Sequence, residues 1–137
     1  MATLTPYLSF RDNAREAMTF YQSVLGGTLD LVEFSMLPDM PQDPADAGKI
    51  MHSWLSTDDG MVLAGSDTPT GMEYQAPQGV SVSISTDDAD RAQVIWDGLA
   101  SGGTPMMPFE DAPWGDRFGM LVDRFGVSWM VSANRPQ

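Results

Sequence analysis

Between Ala14 and Leu25 the apolar positions Ala14, Ala17, Met18, Tyr21 and Leu25 follow a 3, 4, 7, 11 spacing, which lays them along one face of an α-helix. Asn13 stands where an N-cap belongs and Glu16 follows three residues later, so the pattern predicts a helix over about 13–25. Ala92, Ile95, Trp96 and Leu99 repeat the spacing behind Asp87 and Asp88, whose carboxylates can cap a helix and complement its dipole. This predicts a second helix over about 88–101. Each segment closes on a glycine pair, and the pairs ending at Gly27 and Gly103 lie 76 residues apart. Glycines after a helix supply the left-handed residue that stops it, whereas a phosphate-binding loop needs them before the helix. They are therefore read as C-caps.

Upstream of each helix, TLTPYLSF (3–10) and GVSVSIST (79–86) alternate apolar and small polar residues at period two, as strands do. Downstream come TLDLVEFS, IMHSWLST and MVLAGSD after the first helix, then TPMMPFE, DRFGMLVD and VSWMVSA after the second. The last two of each set form a hairpin across TDDG (57–60) and DRFG (123–126), where Gly60 and Gly126 allow the positive φ of a tight turn. These turns correspond at an offset of 66. The chain thus reads as a duplicated βαβββ unit of α+β class, about 1–67 and 80–137, joined by the linker TPTGMEYQAPQG (68–79) into one domain over 1–137. A Pro-rich loop at 36–48 interrupts the first unit.

The 137 residues, 42% apolar, suffice for one core. Seven Lys plus Arg against nineteen Asp plus Glu leave a net charge of −12, which repels nucleic-acid phosphates and anionic lipid and favours, if anything, a cationic ligand. Without cysteine there is neither a disulfide framework nor a thiol nucleophile. No basic-then-apolar leader and no membrane-length apolar run is present, so a soluble, cytoplasmic protein is expected.

The ordered set PYLSF, EAMTFY, LGG, MHSWL, LAGSD, WGDRFG and DRFGVSW resembles the PhnB-like branch of the vicinal oxygen chelate superfamily, the glyoxalase, bleomycin-resistance and extradiol-dioxygenase group. Arg124 departs from the branch, which usually has Pro at that turn position. The resemblance implies tandem βαβββ units whose mixed sheets curl around a concave cavity, and a homodimer that covers the sheet edges. Members with metal chemistry carry ligands on the first and last strands of each unit. Those places fall near Pro6, Ala64, Ser81 and Met130, none a strong divalent-metal ligand. No metal and no cofactor are expected. A methyltransferase label associated with the branch finds no support in the residues, because the glycines lie on the wrong side of both helices for a strand-to-helix cofactor turn.

His52 is the single histidine and, as a side chain that titrates near neutral pH, a candidate general acid or base; a structural histidine is the alternative. Asp67 and Asp123 stand beside turns and read as backbone acceptors. Trp114 and Arg117 lie on an irregular stretch suited to a cavity mouth, and are expected to approach the same hollow as His52 and Tyr7. Met36, Met40, Met106 and Met107 lie in or beside loops, where methionines can wall an adaptable pocket, with Met106 taken as ligand-binding. Trp54, Trp96 and Trp129 read as packing residues. Whether the chain is an enzyme stays open. It is expected to bind a small molecule without metal, either as an enzyme using His52 and Arg117 or as a sequestration protein for a cationic ligand. The third alternative is a metal-dependent lyase, isomerase or dioxygenase of the superfamily.

Overall fold

The computed structural model describes residues 2–37, 39 and 43–134. It contains two units, Met1–Ala76 and Pro77–Gln137, each a four-stranded mixed sheet with one helix. In the first, β1 (Tyr7–Phe10), α1 (Ala14–Leu25), β2 (Thr28–Glu33), β3 (Ile50–Ser56) and β4 (Val62–Asp67) follow in chain order. In the second, β5 (Val82–Thr86), α2 (Ala89–Ala100), β6 (Thr104–Asp111), β7 (Arg117–Val122) and β8 (Ser128–Ala133) repeat the sequence of elements. The sheet orders are β1-β4-β3-β2 and β5-β8-β7-β6, the first pair of each being parallel and the others antiparallel.

The duplication extends to backbone approach. Gly26 and Gly102 take positive φ after the helices, as a C-cap requires. The glycine that follows does something else: a Cβ on Gly27 would lie 2.2 Å from the Ser56 carbonyl oxygen, and one on Gly103 2.6 Å from that of Val122. Each glycine pair therefore stops the helix and then lets the chain pass against the β3–β4 or β7–β8 hairpin, a second role that helix-stop logic alone does not disclose.

The predicted apolar faces are the buried ones: Ala14, Ala17, Met18, Tyr21 and Leu25 in α1, and Ala92, Ile95, Trp96 and Leu99 in α2. Burying each large side chain contributes about 1.5–3 kcal/mol. Trp96 stacks on Phe109 at 5.4 Å and lies over Gly119, where a Cβ would meet its ring at 2.7 Å. β2, β3 and β6 start where predicted, whereas β1 and β5, the first strand of each unit, start later. β1 begins at Tyr7 because Pro6 has no N–H to contribute, although its carbonyl still accepts from Ala64 N. β5 begins at Val82, and β2 ends in a register shift at Val32/Glu33, after which Phe34–Met36 coil into a 3₁₀ turn.

Capping of α1 differs from the sequence expectation. The Asn13 side chain makes no cap bond; instead the Asp67 carboxylate, from the end of β4, accepts from Ala14 N at 2.9 Å and from Ile50 N at 2.9 Å. Asp88 does cap α2, accepting from Arg91 N. At the other end of α2, Arg124 donates three hydrogen bonds to the Ser101 carbonyl and hydroxyl. This gives Arg124 a helix-capping role.

Candidate functional site

Strand pairing divides the first sheet into two faces. Leu8, Phe10, Leu55, Leu63 and Asp67 belong to the α1 side, and the alternate residues belong to the opposite, open face. Asp30, Trp54, Ala64 and Tyr7 are successive Cα partners across β2, β3, β4 and β1, so they form one row on that open face. His52, two residues from Trp54, shares it. Ala64 is the small residue between Tyr7 and Trp54, and the phenol of Tyr7 reaches past it to hydrogen-bond His52 Nδ1 at 3.0 Å. The two rings are nearly parallel, 5.8 Å apart at 21°, and His52 lies 6.4 Å from Trp54. Tyr7 remains 53% exposed.

When the phenol donates to Nδ1, Nε2 carries the ring proton and can offer it to a ligand oxygen; in the other tautomer Nδ1 donates to the phenol and Nε2 accepts. The pair can also relay a proton between the phenol and the ring. Trp54 and Tyr7 add flat apolar surface on either side, and Asp30 adds an exposed carboxylate next to the indole. Sequence reading assigned Trp54 to packing and overlooked Asp30. The signal was there for Trp54: residues 52 and 54 are two apart on a strand, so a His52 on the open face takes Trp54 with it.

In the second unit the open face carries Phe118, Met120, Met130 and Ser83. Trp114 is 64% exposed and meets Phe118 edge to face at 5.7 Å. Arg117 does not join Trp114 on this face. It is paired with Ala133 and shares the parity of Gly119 and Leu121, and its guanidinium lies over the Phe109 ring at 5.0 Å on the α2 side. The one-residue step from Arg117 to Phe118 sets this, a distinction that an irregular approach to the strand hid. Met106 is 66% exposed beside a bulge of β6, Met107 and Met36 are also exposed, and Met40 lies outside the described residues.

The two aspartates are structural acceptors. Asp67 ties α1 to β3 as above; Asp123 accepts from Phe125 N, Val127 N and Trp129 Nε1, fixing the β7–β8 turn. The first-strand partners of Ala64 and Met130 are Tyr7 and Ser83, which corrects the Pro6 and Ser81 register. Tyr, Ala, Ser and Met do not suit a hard divalent ion. Among the described residues no group of three or more His, Asp or Glu side chains could hold one.

The fold places the protein in a recognisable class. A glyoxylase/bleomycin resistance protein/dioxygenase domain from Frankia sp. EAN1pec is 15% identical, with TM-score 0.66 over 98% of each chain. The paired βαβββ units are thus the vicinal oxygen chelate fold. Within that class, residues 2–132 match the family model described as 3-demethylubiquinone-9 3-methyltransferase, and the chain belongs to this PhnB-like family. Protein PA1353 from Pseudomonas aeruginosa is 36% identical, with TM-score 0.87 over 99% of this chain and 100% of its own. A protein titled as a 3-demethylubiquinone-9 3-methyltransferase, PhnB protein, from Bacillus cereus shares the fold at 23% identity, with TM-score 0.70 over 94% and 97%. No helix among the described residues is long and apolar enough to cross a membrane.

Proposed function

We propose that this PhnB-like protein is a cytoplasmic, homodimeric small-molecule-binding protein whose ligand rests on the open face of the first sheet, against Tyr7, His52 and Trp54. The observation that carries this reading is the 3.0 Å bond from Tyr7 to His52 Nδ1 on an aromatic row. It orients the imidazole and leaves Nε2 as a placed polar atom among flat apolar surfaces, the mix of one placed polar group and aromatic walls that small-molecule sites use. Trp114 with Phe118 offers a second aromatic surface, in the other unit.

Methyl transfer, named in the family description, has no residue support here. The β1–α1 and β5–α2 connections are Arg11-Asp12-Asn13 and Asp87-Asp88, without the glycine turn a dinucleotide-type cofactor site uses. Hard divalent chemistry is likewise disfavoured by Tyr7, Ala64, Ser83 and Met130. A second reading, sequestration of a cationic aromatic ligand without turnover, is favoured by Asp30 beside Trp54 and by the net charge of −12.

The test is a thermal-shift screen of cationic, neutral and anionic metabolites, followed by calorimetry on variants. A true ligand at about 100 times its Kd stabilises the protein by about 2.7 kcal/mol. His52→Ala and Trp54→Ala should each weaken it at least about tenfold with unchanged circular dichroism, a loss of about 1.4 kcal/mol. Hits whose affinity ignores both substitutions would refute this site.

A further inference from the structure

The second unit carries an unusual row on its open face. Met107 is the Cα partner of Met120 across β6 and β7, and Met120 is the partner of Met130 across β7 and β8. Directly paired residues on neighbouring strands point to the same face with Cβ atoms about 4.5–5.5 Å apart. The three methionines thus follow one another across β6, β7 and β8, with Met107 between two register irregularities of β6, and the three rotatable bonds of each let the sulfurs swing toward the central one.

We propose that Met107, Met120 and Met130 form a binding site for a soft monovalent metal ion, Cu(I) or its redox-inert analogue Ag(I). Thioether sulfur is a soft, uncharged ligand that selects such ions over Zn²⁺, Mn²⁺ or Mg²⁺. None of the three methionines is part of the buried core, and Met107 is 46% exposed, so the sulfurs are not committed to filling space between helix and sheet. Phe118 and Val122 flank Met120 along β7 on the same face and form an apolar surround.

Electrostatics favour a cation. Glu110 pairs with Phe118 and so lies on this face, while Arg117 is drawn to Phe109 on the opposite one and Arg124 is held at Ser101. The chain as a whole carries −12. This site lies in the second sheet, and its chemistry is separate from the Tyr7–His52 pair.

The experiment titrates silver nitrate, in chloride-free buffer, into the full chain labelled with ¹³C at the methionine methyls, the signals being assigned by single Met→Leu substitutions. Expected are coupled shifts of the Met107, Met120 and Met130 methyls that saturate at one equivalent, with zinc acetate leaving them in place. Outer-sphere changes alone cost metal sites 10–100-fold, so loss of a sulfur ligand in Met120→Leu should weaken silver binding by at least about tenfold. Met130→Leu gives a second, independent variant of similar side-chain volume. Silver shifts confined to other methionines such as Met36 or Met72, wild-type silver affinity in the two Leu variants, or the same shifts with zinc would overturn the proposal.

Discussion

Replacing Asp67 by alanine should damage the first unit more than any change on its open face. The carboxylate is 4% exposed and its two oxygens accept from Ala14 N and Ile50 N, both at 2.9 Å. It therefore joins the start of α1 to the start of β3 from the end of β4. A hydrogen bond to a charged group contributes about 1.5–3 kcal/mol, and a buried N–H left without an acceptor costs a similar amount. Asp67→Ala should then cost about 3–6 kcal/mol, a large part of the 5–15 kcal/mol that typically holds a domain together. Asp67→Asn keeps one acceptor oxygen and should cost about half as much. In urea, with a slope of about 2 kcal/mol/M, the alanine midpoint should fall by about 1.5–3 M. Hydrogen exchange should localise the loss, with Ala14 and Ile50 amides exchanging faster and Val127, whose N–H bonds Asp123 in the other unit, serving as reference. A midpoint lowered by less than about 0.5 M, or exchange unchanged at both amides, would refute the reasoning.

Three further outcomes are expected. The Thr70 hydroxyl, and then Lys49, bonded to the Asp46 carboxylate lower its pKa against the opposing effect of burial. A lowered folded pKa means the contribution is complete above the ordinary carboxylate range and is lost as pH falls through the folded value, so acid titration of wild type should show destabilisation that Asp46→Asn lacks. Gly119→Ala would place a Cβ 2.7 Å from the Trp96 ring and 2.8 Å from Phe109 Cα, and should cost about 1–3 kcal/mol by calorimetry. Multi-angle light scattering at micromolar concentration should find a dimer; a lone species at the 14.9 kDa chain mass would remove the homodimer from the proposal.

Much of the fold was legible because two periods were written clearly. The 3, 4, 7 spacing located both helices within a residue or two, and the turn glycines Gly60 and Gly126, at φ 88° and 86°, fixed the hairpins. What stayed hidden depended on partners distant in sequence. Asn13 has the right chemistry for a cap, but the acceptor that reaches Ala14 N lies 53 residues away in Asp67. Arg124 looks like an odd turn residue until it is seen against Ser101, 23 residues earlier. Face assignment failed where a strand was entered irregularly: nothing in Trp114-Gly115-Asp116-Arg117-Phe118 states which residue begins the alternation, so Arg117 was grouped with Trp114 when Phe118 is its neighbour.

The duplication explains why the site positions were easier to read than their chemistry. At an offset of 66, His52, Trp54 and Ala64 correspond to Phe118, Met120 and Met130; at 76, Tyr7 corresponds to Ser83. The ladders keep these equivalences, since Tyr7–Ala64–Trp54 and Ser83–Met130–Met120 are the same row in the two sheets. Backbone pairing requires only that each position face the open side, which any of these side chains satisfies, so the repeat constrains place and leaves identity free. The helix-facing positions had less freedom. Gly65 lies against Phe10 and Gly119 against Trp96, each too close for a Cβ. The divergence between the halves on the open face, a hydrogen-bonded aromatic pair with a carboxylate in one and a thioether row in the other, is thus the part of the sequence that packing did not dictate. For that reason it is where ligand chemistry should be sought.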